Sequence, residues 1–174
     1  MPRLLRHPAT PCAALRSIDA TATLDARGQL TLAYAIEGDI AALRIPTGRK
    51  GERRDELWRT TCCEAFLADP MTPGYLELNF APAGSWAAYE FEAYRRGMRP
   101  LEVPRAPRIV CRVTDARLTL EATLALPARL RAPLQVALTA VIEERSGTLS
   151  YWALRHSEGG PDFHSPLGFA LRLE

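Results

Sequence analysis

The chain has 174 residues, 47% of them hydrophobic and 24% charged, and a formal net charge of +2. This length predicts one domain spanning residues 1–174, and the composition is that of an ordinary globular protein. The longest uncharged stretch, residues 78–89, is shorter than the roughly 20 apolar residues of a membrane-spanning helix, and the cations form no broad basic face, so we expect neither a membrane nor a nucleic acid as partner.

Alternation of apolar and polar residues dominates the chain and predicts strands. In Gln29–Ile36, for example, Leu30, Leu32, Tyr34 and Ile36 fall on one face. The predicted strands, in chain order, are Ser17–Asp25, Gln29–Ile36, Ile40–Ile45, Thr61–Asp69, Tyr75–Ala81, Trp86–Tyr94, Arg108–Thr114, Arg117–Leu126, Pro133–Ile142, Thr148–Leu154 and Leu167–Leu173.

Turn residues separate nearly all of these strands, as at Gly38-Asp39 and Pro82-Ala83-Gly84, and only Pro127–Arg131 is a candidate for a single helical turn. Short strands with a turn signal about every 8–12 residues are typical of antiparallel sandwiches. We therefore predict an all-β fold, an immunoglobulin-like antiparallel β-sandwich of ten or eleven strands.

The cysteines do not form a typical zinc or disulfide framework, because none of Cys12, Cys62, Cys63 and Cys111 belongs to a C-x-x-C pair. We expect free thiols in a reducing compartment. Residues 7–15 include two prolines and make a poor core for a signal peptide, so we predict a cytoplasmic protein.

The three central strands, Thr61–Asp69, Tyr75–Ala81 and Trp86–Tyr94, carry an unusual set of residues opposite their predicted core face. If the strands form a meander, that face gathers Glu64, Phe66, Tyr75, Glu77, Asn79, Trp86, Glu90, Glu92 and Tyr94. Aromatic rings stack on the apolar face of a sugar, while carboxylates and amides bond its hydroxyls. The other interpretation is a polar outer face with Arg–Glu pairs, to which Arg44 and Arg112 contribute cations.

The segment Asp55–Leu67 and the two strands after it resemble the family 9 carbohydrate-binding modules and the wider DOMON-like group. Those proteins carry a Trp, a five-residue gap, a Glu-x-Phe strand, a Tyr-x-Glu-x-Asn strand and an aromatic-rich return strand. The matching residues here are Trp58, Glu64, Phe66, Tyr75, Glu77, Asn79, Trp86, Tyr89 and Phe91. The tail, with Ser150–Leu154, His156 and Pro161–His164, resembles an uncharacterised bacterial branch of the DOMON-like group.

The resemblance implies a sugar pocket lined by Trp58 and Glu64, with a second aromatic ring from Trp86, Trp152 or Phe163. We expect Arg44 or Arg112 to neutralise Glu64. The complete set of candidate site residues is Trp58, Glu64, Arg44, Glu77, Asn79, Trp86, Arg112, Trp152, His156 and His164.

A haem-binding module is the first alternative, since members of such families bind sugars or haem. Haem needs a His or Met pair at pocket depth. The candidates are Met71, Met98, His156 and His164, of which the two histidines are the better ligands, while a Met at 98 is more typical of packing.

An intracellular enzyme acting on a sugar derivative is the second alternative. Glu64 with Glu77, or Asp162 with His164, could act as general acid and base. Because the chain has no G-x-S-x-G, H-E-x-x-H or phosphate-loop motif, we favour a non-catalytic module. Its expected partner is a carbohydrate-like small molecule, with no cofactor.

Overall fold

The computed structural model describes residues 1–174 and consists of twelve strands with three short 3₁₀ turns, at Ile40–Ala42, Leu57–Arg59 and Pro166–Gly168. No helix is long and apolar enough to span a membrane. The strands are β1 Arg3–Arg6, β2 Leu15–Leu24, β3 Gln29–Gly38, β4 Cys62–Ala68, β5 Tyr75–Phe80, β6 Trp86–Phe91, β7 Arg99–Pro100, β8 Arg108–Val113, β9 Arg117–Ala125, β10 Leu134–Glu143, β11 Leu149–Ala153 and β12 Leu171–Leu173.

All named strands pair antiparallel in one curled sheet that folds into two layers, so the predicted all-β sandwich is confirmed. The first layer contains β2, β3, β9 and β8. The second contains β7, β6, β5, β4, β10 and β11, and β12 pairs with the start of β10. Strand β1 joins the layers, because its first half pairs with β2 and its second half with β11.

The main core lies between the two layers and is built from the alternating residues that the sequence pattern indicates. Leu32 and Tyr34 of β3 face Leu67 of β4 and Leu78 of β5, and all four are at most 1% exposed. Burial of such apolar side chains is the principal stabilising contribution. The Tyr34 hydroxyl also crosses between the layers and donates to the main-chain oxygen of Glu64 at 2.5 Å.

Two of the predicted strands are wrong in whole or in part. Ile40–Ile45 is a 3₁₀ turn at Ile40–Ala42, started by the Asp39 side chain, which accepts the Ala42 N–H. Leu167–Leu173 begins with the turn Pro166–Gly168, and only its last three residues form a strand. In both segments, a residue that favours turns directly precedes the apolar residues.

The short strands β1 and β7 were missed because four and two residues are too few to show an alternation. The candidate helical turn at Pro127–Arg131 is a tight turn closed by the Leu130 N–H to Pro127 oxygen bond of 2.8 Å, with no helix.

The predicted meander of β4, β5 and β6 is confirmed, but the predicted phase of β6 is wrong by one residue. Glu77 pairs with Tyr89 and Tyr75 with Phe91, so Tyr89 and Phe91 lie on the same face as Glu77. Trp86 faces the main core instead. In β6, Tyr89 and Phe91 lie on one face and Trp86 and Ala88 on the other, all of them buried, so alternation does not distinguish the two faces of this strand.

Candidate functional site

A cavity of about 400 Å³ lies on the face of the second layer that points away from the main core. Strands β4, β5, β6, β10 and β11 form its floor, and loops before β4, after β6 and after β11 form its walls. Its lining residues are Trp58, Glu64, Phe66, Glu77, Phe91, Arg95, Met98, Val141, Tyr151, Pro161, Phe163 and His164.

Trp58 forms one wall of the cavity from a 3₁₀ turn that is anchored by its neighbours. Leu57 is buried, and Glu56 starts the turn in a left-handed conformation with φ of 60°. The Arg59 guanidinium lies over the indole ring at 5.0 Å and pairs with Glu56 at 2.9 Å. Trp58 remains 42% exposed, which leaves much of this large ring accessible.

Two carboxyl groups, Glu64 and Glu77, enter the cavity from neighbouring strands. They are diagonal neighbours on one face, because Glu64 pairs with Asn79 and Glu77 pairs with Phe66. Their residues are 2% and 5% exposed. The Thr139 hydroxyl donates to Glu64 Oε2 at 3.4 Å, whereas Glu64 Oε1 is buried without a hydrogen-bond partner.

Burial is the main reason why both carboxyl groups resist ionisation. It raises the pKa of Glu64 well above its usual value, and the neighbouring Glu77 raises it further, against a smaller opposite effect of Thr139. Burial also raises the pKa of Glu77, although the Asn79 amide, which donates to Glu77 Oε1 at 2.8 Å, and Arg95 partly oppose this. The two groups therefore hold a proton at pH values where an exposed pair would be fully ionised.

His164 completes this polar group in an uncharged state. Its Nδ1 lies 2.8 Å from the Tyr75 hydroxyl, which accepts the Arg95 main-chain N–H at 3.1 Å, and its Nε2 lies 3.8 Å from Glu77 Oε2. Burial and then the Arg95 charge lower the pKa of His164 to about 4, with Asp162 opposing. The imidazole is thus neutral at neutral pH, and Tyr75 can donate to its Nδ1.

Asp162 fixes the rim of the cavity. Its carboxylate accepts from the Tyr94 hydroxyl at 2.7 Å, from the Arg95 guanidinium at 2.7 Å and from the His164 main-chain N–H at 3.1 Å. Burial acts to raise its pKa, but the bonds from Tyr94 and Arg95 together leave that pKa below its usual value. Asp162 does not contact the His164 ring through a hydrogen bond, so the predicted Asp162–His164 acid–base pair is not formed.

Stacked and edge-on rings support the remaining walls. Tyr75 and Phe91 stack at 4.8 Å with an interplanar angle of 7°, and Phe66 meets His164 edge-on at 5.2 Å. Tyr151 of β11 and Phe163 of the following loop meet at 5.9 Å. These contacts pack the aromatic lining against itself.

The structure brings four of the sequence-predicted site residues together at the cavity: Trp58, Glu64, Glu77 and His164. Asn79 is fully buried beside them, where its amide holds Glu77 and its own Oδ1 has no partner. Of the three candidates for a second aromatic ring, the cavity includes Phe163.

Neither of the arginines expected to neutralise Glu64 is near it. Arg44 pairs with Glu143 at 3.2 Å, and Arg112 lies on β8 in the other layer. The sequence places both in phase with a strand, but it does not show which layer or strand end each one occupies. The arginine that lines the cavity is Arg95.

The other two tryptophans and His156 also lie elsewhere. Trp86 and Trp152 are 5% and 6% exposed within the main core, where their indole N–H groups donate to the Gly51 oxygen and to Ser150. His156 contacts the oxygen of Leu5 in β1 at 2.7 Å. A β-strand reverses its faces at every residue, so Trp152 points away from the cavity that Tyr151 lines.

Sequence reasoning missed Arg95, Tyr151 and Val141 as lining residues. The sequence does mark a turn at Arg95, because Gly97 follows two residues later. In the structure, Arg95 adopts a left-handed conformation with φ of 53° in this turn. Tyr151 and Val141 pair directly across β11 and β10, a register that the sequence does not reveal.

Haem does not fit the residues present. His156 is outside the cavity, and both ring nitrogens of His164 face other side chains, Tyr75 and Glu77. Met98 lines the cavity but is 54% exposed at its rim. The predicted pair of axial ligands is therefore not assembled.

No protein-family model and no curated protein matches the chain. Solved structures do share its fold. One, a "putative carbohydrate-binding protein" from Bacteroides uniformis ATCC 8492, has a TM-score of 0.66 and 13% identity, covering 91% of this chain and 78% of that one. Another, a family 9 carbohydrate-binding module from Caldicellulosiruptor kristjanssonii in complex with glucose, has a TM-score of 0.62 and 8% identity, covering 91% and 75%.

The fold is that of a β-sandwich of the family 9 carbohydrate-binding-module type, and the resemblance predicted from the sequence is confirmed at this level. At 8–13% identity, the similarity concerns the fold alone.

Proposed function

We propose that the protein binds a small carbohydrate, without chemical conversion, in the cavity between Trp58 and the Glu64–Glu77 pair. The observation that carries this proposal is the Glu64 Oε1 atom, which is buried without a partner at an aromatic cavity. A buried oxygen of this kind normally has a donor, and a sugar hydroxyl can supply one. The shared fold with the family 9 carbohydrate-binding module and with the "putative carbohydrate-binding protein" supports the same proposal.

The division of the lining into two kinds of surface fits a sugar ring. Trp58, Phe91 and Phe163 offer flat apolar faces, whereas Glu64 and Glu77 offer oxygens that accept hydrogen bonds. The cavity volume of about 400 Å³ is within the range of small-molecule sites. Because the cavity is already formed, little ordering of the chain opposes binding.

Isothermal titration calorimetry with glucose and other monosaccharides tests this proposal. We expect a saturable heat whose Kd is raised in Glu64→Gln and Trp58→Ala and unchanged in Glu121→Gln, a matched substitution of an exposed residue on β9 in the other layer. Absence of binding to every sugar, or equal affinity in all four proteins, would contradict the proposal.

The same samples distinguish binding from catalysis. Each sugar is incubated with the protein and then analysed by NMR. A binding module returns the sugar unchanged. Consumption that stops in Glu64→Gln while binding persists would replace the proposed function with an enzymatic one.

A further inference from the structure

The cavity contains two carboxyl groups, Glu64 and Glu77, that form no ion pair with an arginine or lysine of the chain. Its lining includes one cationic residue, Arg95, whose guanidinium already pairs with Asp162 at 2.7 Å. Arg59, above Trp58, pairs with Glu56 at 2.9 Å. Glu64 makes no salt bridge within the chain, and one of its oxygens has no hydrogen-bond partner.

We propose, resting on the proposed sugar site, that the ligand is an amino sugar whose protonated amine binds between Glu64 and Glu77 against the aromatic walls. An ammonium group carries three donors and no acceptor. One donor reaches Glu64 Oε1, which has no partner, and another reaches Glu77, whose nearest cationic candidate is the His164 ring at 3.8 Å. The faces of aromatic rings attract the same charge.

A neutral sugar supplies a hydrogen-bond donor to this site but no positive charge. Its hydroxyl can satisfy the unpartnered oxygen, but it brings no positive charge to two adjacent buried carboxyl groups, which repel each other wherever both are ionised. His164 supplies no positive charge at neutral pH because it is buried beside Arg95. An ammonium group satisfies the hydrogen bond and the charge together.

Binding of the ammonium group displaces a proton from the carboxyl pair. The carboxyl pair of the free protein holds a proton, since burial and mutual repulsion raise the pKa of Glu64. When the ammonium group enters, that proton leaves to solvent and the amine keeps its own. The titratable or charged groups facing this pair or flanking the site are Tyr34, Asp55, Glu56, Arg59, Cys62, Cys63, Tyr75, Tyr89, Arg95, Tyr151, Asp162 and His164.

Calorimetric titrations with glucose and with its 2-amino, 3-amino and 6-amino derivatives test the proposal. They are run in mildly acidic solution in two buffers of different ionisation enthalpy. We expect at least one amino sugar to bind about tenfold or more tightly than glucose, with net proton release, as a charge-assisted bond in a buried site predicts. Glu64→Gln should remove both the advantage and the proton release, while Glu121→Gln should keep them.

The outcomes separate the two proposals. Binding of glucose with no preference for any amino sugar overturns the amine inference and leaves the sugar site standing. Tight binding of an amino sugar without proton release, or with an advantage that survives Glu64→Gln, overturns the assigned role of the carboxyl pair. Absence of binding by all four sugars overturns both proposals. The proton release is measured on the unaltered protein, so the test does not depend on the folding of a variant.

Discussion

Trp58 is a large ring that is 42% exposed although both of its sequence neighbours make close contacts. The buried Leu57 holds its backbone, and Arg59 covers one face of the indole at 5.0 Å. Trp58→Ala should weaken sugar binding by about 2 kcal/mol, roughly 30-fold in Kd, because the loss of a stacked Trp is among the costliest truncations in binding sites. Calorimetry measures this change.

Trp58→Phe and Val113→Ala serve as comparisons for that measurement. Phenylalanine keeps a stacking surface and should restore part of the affinity. Val113 is 52% exposed at the end of β8 in the other layer, so its truncation should leave Kd unchanged. Equal Kd values for Trp58→Ala and the unaltered protein would show that the ring does not contact the sugar.

His164 should contribute to the dependence of folding stability on pH. The pKa of its imidazole is about 4 in the folded chain, against 6.5 when unperturbed, owing first to burial and then to Arg95. Between about pH 6.5 and 4 the unfolded chain binds an additional proton at this residue, so the contribution of His164 to folding stability falls as pH decreases through this window. His164→Asn keeps an acceptor for Tyr75 but does not titrate, and its stability should depend less on pH in that range.

Urea unfolding at a series of pH values measures this difference. In parallel, NMR should show that the His164 ring stays neutral down to about pH 4. Its signals are assigned by their disappearance in His164→Asn. Parallel stability curves for the two proteins, or protonation of the ring near pH 6.5, would contradict the prediction.

At the scale of single residues, the sequence was informative where a strand pattern fixes both face and register. Glu64 and Glu77 were predicted together because each follows the alternation of its own strand, and the strands are adjacent. Arg44 and Trp152 were misplaced because the alternation does not indicate which layer a strand joins or which of its faces carries the site.

Among the elements, β1 is short but connects the two layers, because its four residues pair with both β2 and β11. Leu4 pairs with Ile18 in the first layer and is 1% exposed, whereas Leu5 pairs with Ala153 in the second layer and is 56% exposed. The two adjacent leucines therefore form a matched pair for testing the contribution of β1 to the core.

Leu4→Ala should destabilise the protein by about 2–5 kcal/mol, the range for a leucine removed from a close-packed core. Leu5→Ala should change stability by no more than about 0.5 kcal/mol, as is usual for an exposed residue. Chemical denaturation measures both. Equal effects of the two substitutions would mean that β1 does not insert into the core in this register.

The elements themselves were predictable wherever turn residues bounded a long alternation, as in β3, β9 and β10. They were least predictable at the ends of the chain, where β1 was missed and β12 was predicted four residues too long, because strands of three or four residues form only where a partner strand is present. The phase of β6 was missed for a different reason, since the cavity side of this sheet is nearly as apolar as its core side.

Across the whole molecule, this second apolar face means that the second layer is covered on both of its sides. A smaller cluster including Leu57, Phe66, Tyr75 and Phe91 packs outside the main core and supports the loops around the cavity. Half of the lining comes from these loops, where no periodic pattern guides prediction. The site floor was therefore predictable, whereas its walls required the folded chain.

The buried carboxyl pair also affects the stability of the whole molecule. Burial and then Glu77 raise the pKa of Glu64 well above the 4.5 of a free side chain. As pH rises above about 4.5, the unfolded chain loses its proton while the folded chain retains one, so folding stability falls until the folded pKa is reached. The charged form of Glu64 thus opposes folding at neutral pH.

Glu64→Gln should therefore stabilise the protein at neutral and higher pH while it weakens sugar binding. The amide has nearly the same shape, carries no charge to desolvate and relieves the repulsion on Glu77. Denaturation at pH 5 and pH 8 should show the gain only at the higher pH, with no gain in Glu121→Gln, whose carboxylate is exposed. A less stable variant at pH 8 would mean that Glu64 supports the fold. The predicted gain would instead identify a residue kept for its ligand at the expense of stability, as binding sites commonly are.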